Sequence, residues 1–389
     1  MPLPLLPQAE QDREENKMGG KRRRPLSEQV EVSSKKKIEK KTIETSTLIP
    51  SGSTMLNLAC SDNPEGAFGL GKIITLPGGS ASGKTMLMLT MLAECARDKK
   101  FDGYELIYDD GEETCSTFDI EYLFGNKLAK RIIPPQLDKN EESLHSETIQ
   151  DFKANILTRT KTGIPFIYIL DSLDSLTSDE ELAREYKLAL VKAKDPEAVK
   201  ELKGSYKAEK AKGIGEALRM INSKIKHTNS SLFIIQQERA NIGVMMGPKN
   251  TTSGGKAPFF YSSHQVWLNM KKPITKEVKK QNRKIGHEII AKVKKNKLTG
   301  KLRDIEFSIF YDYGVDDIAS CLDFLVSAGH WKKPGQTIIA HELSIEGNRS
   351  KIIEEIESQG LQHELKDVTS KVWNEIEESL RLDRGRKFE

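Results

Sequence analysis

The stretch from Gly71 to Thr85, GKIITLPGGSASGKT, determines the fold class of this chain. A short β-branched run ends in paired glycines, and a helical pattern begins at Lys84. The segment GGSASGKT fits G-x-x-x-x-G-K-[ST], in which backbone N–H groups at a strand–loop–helix junction surround phosphates. The stretch therefore predicts a nucleoside triphosphate site in an α/β protein.

The residue types in this loop predict ATP and Mg²⁺ as its ligands. Lys84 is expected to reach the β- and γ-phosphates, and the Thr85 hydroxyl is expected to ligate Mg²⁺. We predict that the nucleotide contacts every residue of the loop and the start of the helix: Gly78, Gly79, Ser80, Ala81, Ser82, Gly83, Lys84, Thr85 and Met86.

Further short apolar runs alternate with helical segments along the chain. YELIYDD, IPFIYILDSLDSL and SSLFIIQQER are nearly continuous apolar strands, which is typical of a parallel sheet covered by helices on both faces. In such folds the ligand binds at the carboxyl ends of the strands. We therefore predict a P-loop ATPase core with a mostly parallel central sheet flanked by helices.

Polar residues stand where these strands end. Asp171 closes FIYIL, where an acid has no packing role, and is predicted to bind Mg²⁺ directly or through water; Asp174 is the competing choice. The residue that polarises water is expected among the acids that follow YELIY, with Glu112 favoured and Glu113 close behind: Asp109, Asp110, Glu112 and Glu113. Gln237 either senses the γ-phosphate or simply terminates its strand.

The composition argues against several classes of protein. The 389 residues carry a net charge of only +4, which does not by itself indicate nucleic-acid binding. The four cysteines are far apart, which indicates reduced thiols and neither a disulfide framework nor a cysteine zinc site. Because no apolar run approaches the roughly 20 residues that span a bilayer, we expect a cytoplasmic protein with no membrane partner.

Changes in composition predict three parts. Residues 1–45, with GGKRRRPLSEQ and SSKKKIEKKT, predict a basic flexible arm that is either a solvated tail or an oligomerisation or DNA-contacting element. Residues 46–335 are the predicted ATPase core, and residues 336–389 a small C-terminal helical unit. Within the core, Ser178–Lys212 is rich in Lys, Glu and Ala and predicts an exposed helical insertion.

One loop combines turn residues with large apolar side chains, which is unusual for a surface: NIGVMMGPKNTTSGG, Asn241–Gly255. The longer segment QERANIGVMMGPKNTTSGGKAPFFYSS resembles the second DNA-binding loop of RecA-type homologous recombinases, including their phage relatives. IPSGSTMLNLAC, GIGEALRMINSKIKHTNSSLFIIQQ and KVKKNKLTGKLRDIEFSIFYDYGVD are similar to other family segments, in the same order. The resemblance covers residues 46–331 and implies a RecA-like ATPase core.

The resemblance implies a helical filament on stretched single-stranded DNA. Ile242 matches an aliphatic side chain that wedges between base triplets, and an inserted apolar side chain regains buried area lost on stretching. Gly254 and Gly255 would let backbone N–H groups approach phosphates. Positions that match phosphate-contacting residues of the family are Lys212, Arg219 and Arg239.

The resemblance also implies contacts between neighbouring subunits. Lys295 and Lys297 match lysines that reach the neighbour's ATP γ-phosphate and act as an arginine finger does. Phe260 matches an aromatic residue of a head-to-tail interface, which propagates into an open helix. The residue that stacks on adenine stays open between Tyr122 and Phe118.

Two segments depart from the family pattern. Ser178–Lys212 is longer and more basic than the first DNA-binding loop of the family, which leaves its DNA contacts open. YDDGEE has one residue more than Asp-x-Glu, so the choice between Glu112 and Glu113 also stays open.

Together these features predict a DNA-dependent ATPase that forms a homo-oligomeric filament on single-stranded DNA and exchanges strands with homologous double-stranded DNA. Single-strand-binding and loader proteins are possible partners, in the cytoplasm of a bacterial or phage-infected cell. The alternatives are a recombination mediator with little turnover and a hexameric DNA helicase. An intact set of catalytic residues disfavours the mediator, and the Lys295 element disfavours the helicase.

Overall fold

The computed structural model describes residues 43–112, 117–194, 206–240 and 250–381. Three predictions therefore fall outside the described residues: the basic arm up to residue 42, Glu113 and the wedge residue Ile242. Within the described part of the chain, no helix is long and apolar enough to cross a membrane.

A ten-stranded sheet lies at the centre of the described residues. Its parallel part follows the spatial order β11 (His264–Val278), β3 (Ile73–Gly78), β9 (Ser231–Ala240), β8 (Phe166–Asp171), β4 (Glu105–Asp110) and β5 (Ile132–Ile133). Its antiparallel part continues from β11 through β12 (Gln281–Asn296), β13 (Asp304–Phe310) and β14 (Gly314–Asp316). A short strand, β10 (Asn250–Thr252), pairs antiparallel with β9.

Two small antiparallel pairs precede the C-terminal part of the chain, and a third lies within it. They are β1 (Leu48–Ile49) with β2 (Phe68–Gly69), β6 (Gln136–Leu137) with β7 (Ser143–Leu144), and β15 (Ile338–Ala340) with β16 (Ile345–Gly347).

Helices cover both faces of the parallel strands, as the continuous apolar runs predict. α1 (Thr54–Ser61) and α2 (Lys84–Arg97) pack on one face, and α5 (Ile149–Thr162) and α7 (Tyr206–His227) on the other. The remaining helices are α3 (Thr117–Phe124), α4 (Asn126–Ala129), α6 (Asp179–Lys194), α8 (Ala257–Tyr261), α9 (Asp317–Ser327), α10 (Arg349–Gln359) and α11 (Gln362–Ser379). This is the predicted α/β class with a central sheet between helices.

The apolar strand β8 supplies both cores. Ile167 and Ile169 belong to the core under α1 and α2, whereas Phe166, Tyr168 and Leu170 belong to the core under α5 and α7. Successive side chains of a strand point to opposite faces. A strand buried on both sides is therefore apolar at every position, which explains why its sequence lacks polar alternation.

The strand register brings the predicted site residues to one edge of the sheet. Asp110 on β4 lies opposite Asp171 on β8, and Gly78 on β3 lies opposite Gln237 on β9. These are the carboxyl ends of parallel strands, where ligands bind in open α/β sheets.

The C-terminal part contains the β15–β16 hairpin in addition to α10 and α11. Its apolar core includes Trp331 and residues of α9, which precede residue 336. α11 also contacts the main core, because Trp373 belongs to it. The predicted boundary at residues 335 and 336 stays a prediction.

Candidate active site and neighbouring surfaces

The phosphate-binding loop joins the end of β3 to the start of α2. A Cβ atom on Gly78 would lie 2.4 Å from the carbonyl oxygen of Leu268 on the adjacent strand. Gly83 has a φ of +79°, and its Cβ would lie 2.5 Å from Cδ1 of Ile309. Close packing therefore excludes a side chain at both glycines of the motif, and the left-handed conformation of Gly83 also favours glycine.

Lys84, the first residue of α2, is buried inside this loop. Its Nζ donates hydrogen bonds to the carbonyl oxygens of Gly78 at 3.1 Å and Gly79 at 2.6 Å. Burial lowers the pKa of Lys84, and the nearby carboxylates of Asp171 and Glu112 oppose that shift. The ammonium group is therefore held by carbonyl acceptors of the loop. A phosphate oxygen bound in the loop could replace one of these acceptors.

Thr85 and Asp171 meet across the gap between α2 and β8. Thr85 Oγ1 donates a 2.6 Å hydrogen bond to Asp171 Oδ2, which also accepts one from Tyr108 Oη at 3.0 Å. Asp171 is 2% exposed, and its burial raises the pKa of the carboxyl to about 6. A hydroxyl and a carboxylate are the hard oxygen ligands that Mg²⁺ prefers, so these residues fit that ion.

The acids at the end of β4 and directly after it differ in their surroundings. Asp109 is fully buried and accepts hydrogen bonds from the backbone N–H of Ser146 at 2.8 Å, from the Ser146 hydroxyl at 2.6 Å and from Tyr168. Glu112 instead lines the cavity above the loop, where Ser172 Oγ donates a hydrogen bond to it. Among the described acids of this group, Glu112 is the one that lines the cavity.

A cavity of about 740 Å³ opens over the phosphate-binding loop. The predicted residues Glu112, Asp171, Gln237 and Tyr122 line it, together with the loop from Ser80 to Met86. Tyr122 is 65% exposed, so its ring is available to a ligand. The side chain of Phe118 lies outside the described residues.

Three polar cavity residues were not singled out from the sequence: His287, Tyr311 and Asp312. His287 lies on β12, and its Nε2 is 3.3 Å from Oη of Tyr311, the residue that directly follows β13. These residues are more than 190 positions beyond the loop in the sequence, and their strands carry no nucleotide motif. Only the pairing of β12 and β13 beyond β11 brings them to the cavity.

The carboxylate of Asp174 accepts hydrogen bonds from residues near the end of β9 and just after β10. Its Oδ2 accepts a 2.7 Å hydrogen bond from the backbone N–H of Gln237. Its Oδ1 accepts hydrogen bonds from Arg239 Nη2 at 3.1 Å and from Ser253 Oγ. The carboxylate is 5% exposed and so is held within the protein, which favours a positioning role over a metal-binding one. The carboxylate in contact with Thr85 is that of Asp171.

The other predicted DNA-contacting residues come before and after residues 241–249 in the sequence, and those nine residues lie outside the described part of the chain. Lys212 and Arg219 are exposed on α7, and Arg239 is exposed on β9. Gly254 and Gly255 have φ values of +84° and +66°, a conformation that L side chains rarely adopt. A Cβ on the buried Gly254 would also lie 2.9 Å from Leu173 Cδ2.

Lys295, Lys297 and Phe260 form a surface of their own. Phe260 is 69% exposed. Lys295 Nζ donates to the Phe260 carbonyl at 3.1 Å and lies 4.5 Å from the ring centroid of Phe259. Burial, followed by the charge of Lys297, lowers the pKa of Lys295 to about 8. Among the described residues, neither lysine belongs to the lining of the cavity in its own chain.

Comparison with known proteins gives a consistent result. The family model described as the RecA N-terminal domain matches residues 28–316. Protein RecA of Caulobacter sp. (strain K31) is 28% identical over 354 residues, covering 90% of this chain and 86% of that protein. Protein RecA of Marinobacter nauticus is 30% identical over 277 residues, covering 69% of this chain and 68% of that protein. The chain, with its phosphate-binding loop and α/β core, belongs to the RecA family.

Proposed function

We propose that this chain is a DNA-dependent ATPase that forms a helical filament on single-stranded DNA and performs homologous pairing and strand exchange. The observation that carries the proposal is the hydrogen-bond network of Asp174. It joins Gln237, which lines the nucleotide cavity, to Arg239 and Ser253 at both ends of the predicted DNA-binding loop. The state of the nucleotide and the conformation of that loop are thereby coupled.

The cavity residues have complementary roles in hydrolysis. Lys84 would bind the β- and γ-phosphates, and Thr85 and Asp171 would hold Mg²⁺, which would supply positive charge to the phosphate oxygens. Glu112 orients the attacking water, and its hydrogen bond from Ser172 fixes the carboxylate. Tyr122 and Tyr311 both line the cavity, and we propose that they hold the nucleobase.

A neighbouring subunit completes this site. Lys295 lies over the exposed ring of Phe259 and donates to the carbonyl of Phe260, and the exposed Lys297 is close enough for its charge to act on Lys295. This surface is available to a second copy of the chain. A lysine that reaches the γ-phosphate only from a neighbour makes hydrolysis depend on assembly. The depressed pKa of Lys295 reflects partial burial and the charge of Lys297, and an anionic phosphate would offset that repulsion.

The DNA-binding surface combines charge with apolar contact. Lys212 and Arg219 are seven residues apart on α7 and therefore share one face of the helix, where they would neutralise phosphates. Gly254 and Gly255 would let backbone N–H groups approach the phosphates. Ile242 would insert between base triplets, as the family resemblance implies.

Mixing two inactive variants tests this proposal. Lys84→Ala removes the lysine that would bind phosphate in the chain's own cavity. Lys297→Ala removes the lysine that the chain would supply to the cavity of its neighbour. Each variant alone should hydrolyse little ATP in the presence of single-stranded DNA. In a mixed filament, the cavity of a Lys297→Ala chain still contains Lys84. When its neighbour is a Lys84→Ala chain, that neighbour supplies an intact Lys297, so the site between them has both lysines. Turnover should therefore reappear on mixing and be greatest near equal proportions.

Lys276→Ala, an exposed lysine at the far end of β11, is the matched control and should leave turnover unchanged. Strand exchange between a circular single strand and its homologous linear duplex must accompany DNA-stimulated turnover. Turnover without exchange would favour a helicase, and nucleotide binding without turnover would favour a mediator. Failure of the mixed variants to recover activity would contradict the assembly of the site from two chains.

A further inference from the structure

A cluster of two imidazoles and one carboxylate lies in the C-terminal part of the chain. His330 follows α9, and His341 and Glu342 belong to a 3-10 turn, His341–Leu343, directly after β15. His330 Nε2 contacts Glu342 Oε1, and His341 Nε2 lies 3.1 Å from the same oxygen. The two imidazole rings are 5.2 Å apart, centroid to centroid. Three potential metal-ligand side chains therefore converge on one point of the surface.

We propose that His330, His341 and Glu342 bind a divalent cation of the zinc class. One ligand atom from each residue lies within 4.8 Å of the others. Around a tetrahedral ion with bonds of about 2.0–2.1 Å, ligand atoms are separated by roughly 3.3 Å. Small side-chain rotations would therefore reach that arrangement. Two imidazole nitrogens with a carboxylate oxygen suit zinc and its neighbours better than Mg²⁺ or Ca²⁺.

The carboxylate is already oriented for this role. Trp331, which is 1% exposed, donates a 2.7 Å hydrogen bond from its indole Nε1 to Glu342 Oε2. Oε2 is thereby fixed from behind, while Oε1 faces the imidazoles. Hydrogen bonds that orient a ligating carboxylate are characteristic of protein metal sites.

A bound cation would join two segments that backbone pairing already brings together. Lys332 bridges Ile339, whose N–H donates to the Lys332 carbonyl at 3.0 Å. The ion would add a second link, from the end of α9 to the turn after β15, and so stabilise the C-terminal part of the chain. Because the His341 side chain is 57% exposed, a water molecule has access to the remaining coordination position.

Cobalt is the first probe, because tetrahedral Co²⁺ absorbs visible light. The full chain, treated with a chelator and kept in excess Mg²⁺ without nucleotide, is titrated with Co²⁺ and then with Zn²⁺. We expect an absorption band that saturates at one Co²⁺ per chain and disappears when zinc is added. Zinc should also raise the melting temperature and change tryptophan emission, and Trp331→Phe should remove most of the emission change.

His341→Ala, Glu342→Gln and the matched control His363→Ala identify the ligands. His341 is exposed, so His341→Ala should keep the melting temperature of the metal-free chain while weakening Co²⁺ binding at least about tenfold. His363 is an exposed histidine on α11, and His363→Ala should bind Co²⁺ as the wild type does. The proposal is overturned if the wild type gives no saturable band. It is equally overturned if His341→Ala and Glu342→Gln bind as tightly as His363→Ala.

Discussion

The hydroxyl of Thr85 donates a 2.6 Å hydrogen bond to the carboxylate of Asp171, so the first turn of α2 is linked to the end of β8. Both oxygens are the ligands proposed for Mg²⁺. Their direct contact places them close enough for a single ion to bind both, directly or through water. Burial raises the pKa of the Asp171 carboxyl to about 6, although the hydrogen bonds from Thr85 and Tyr108 act to lower it.

Asp171→Asn should make the nucleotide-free chain more stable at pH 7 while abolishing ATP turnover. The rise in pKa from 3.8 to about 6 corresponds to a cost of about 3 kcal/mol for the ionised form. Asparagine avoids that cost and can still accept hydrogen bonds from Thr85 and Tyr108. Denaturant unfolding without Mg²⁺ and nucleotide measures the gain.

The pH dependence of this gain has a definite sign. The folded chain keeps the Asp171 proton up to about pH 6, whereas the unfolded chain loses it near 3.8. The wild type therefore loses stability relative to Asp171→Asn as the pH rises from about 4 to 6. The gain in unfolding free energy of Asp171→Asn over the wild type should reach its maximum by pH 7 and should disappear below pH 4. A gain independent of pH would contradict this explanation.

Glu112→Gln should lower kcat about 10²- to 10⁴-fold and leave ATP affinity nearly unchanged, because only the orientation of water is lost. Single-turnover hydrolysis and nucleotide binding measure the two effects. Glu113→Gln is the comparison, since that residue is the other predicted base. If Glu113→Gln shows the large loss and Glu112→Gln does not, the assignment of Glu112 is wrong.

Asp174→Asn should uncouple DNA binding from hydrolysis. Asp174 accepts hydrogen bonds from Gln237, Arg239 and Ser253, and asparagine weakens the ion pair while keeping the side chain's size. We expect DNA stimulation of turnover to fall about 2- to 30-fold, equivalent to about 0.5–2 kcal/mol of coupling. Turnover without DNA should change little. An equal fall with and without DNA would indicate a catalytic role instead.

Arg303→Met should destabilise the chain by about 1.5–3 kcal/mol, because two largely buried carboxylates lose their hydrogen bonds from the guanidinium and keep their contacts with Lys301. The guanidinium Nη2 lies 2.6 Å from Asp62 and 2.5 Å from Glu377, and these side chains are at most 16% exposed. Denaturant unfolding measures the loss. Lys271→Met breaks an ion pair with Glu306 whose side chains are 41% and 53% exposed, and should leave stability unchanged. Equal effects of the two variants would contradict the role of burial.

Elements made of consecutive residues could be predicted from the sequence. The phosphate-binding loop and its adjoining strand and helix are local, so spacing alone identifies Lys84 and Thr85. The apolar runs predict a sheet buried on both faces, and β8 has that environment. Polar residues at strand ends identified Asp171, Glu112 and Gln237 as candidates because the carboxyl ends of parallel strands share one edge.

The sequence could not distinguish acids that are adjacent in the chain. Asp109 lies near the end of β4 and Glu112 just after it, but Asp109 accepts hydrogen bonds from Ser146 and Tyr168 while Glu112 lines the cavity. Their partners lie at distant positions in the chain. Likewise, sequence reasoning considered Asp174 only as a metal ligand, whereas it binds Gln237, Arg239 and Ser253.

The sequence by itself determined the phosphate-loop motif, the α/β class and which apolar runs form buried strands, because backbone conformation and hydrophobic periodicity are local properties. The tertiary structure alone decided which distant side chains meet: Tyr311 and His287 at the cavity, and His330 and Trp331 at Glu342. β12 and β13 pair beyond β11 in the sheet, and this pairing brings His287 and Tyr311 to the cavity. The turn after β15 packs against the end of α9 and brings His330 and Trp331 to Glu342. Neither contact follows from the spacing of residues along the chain.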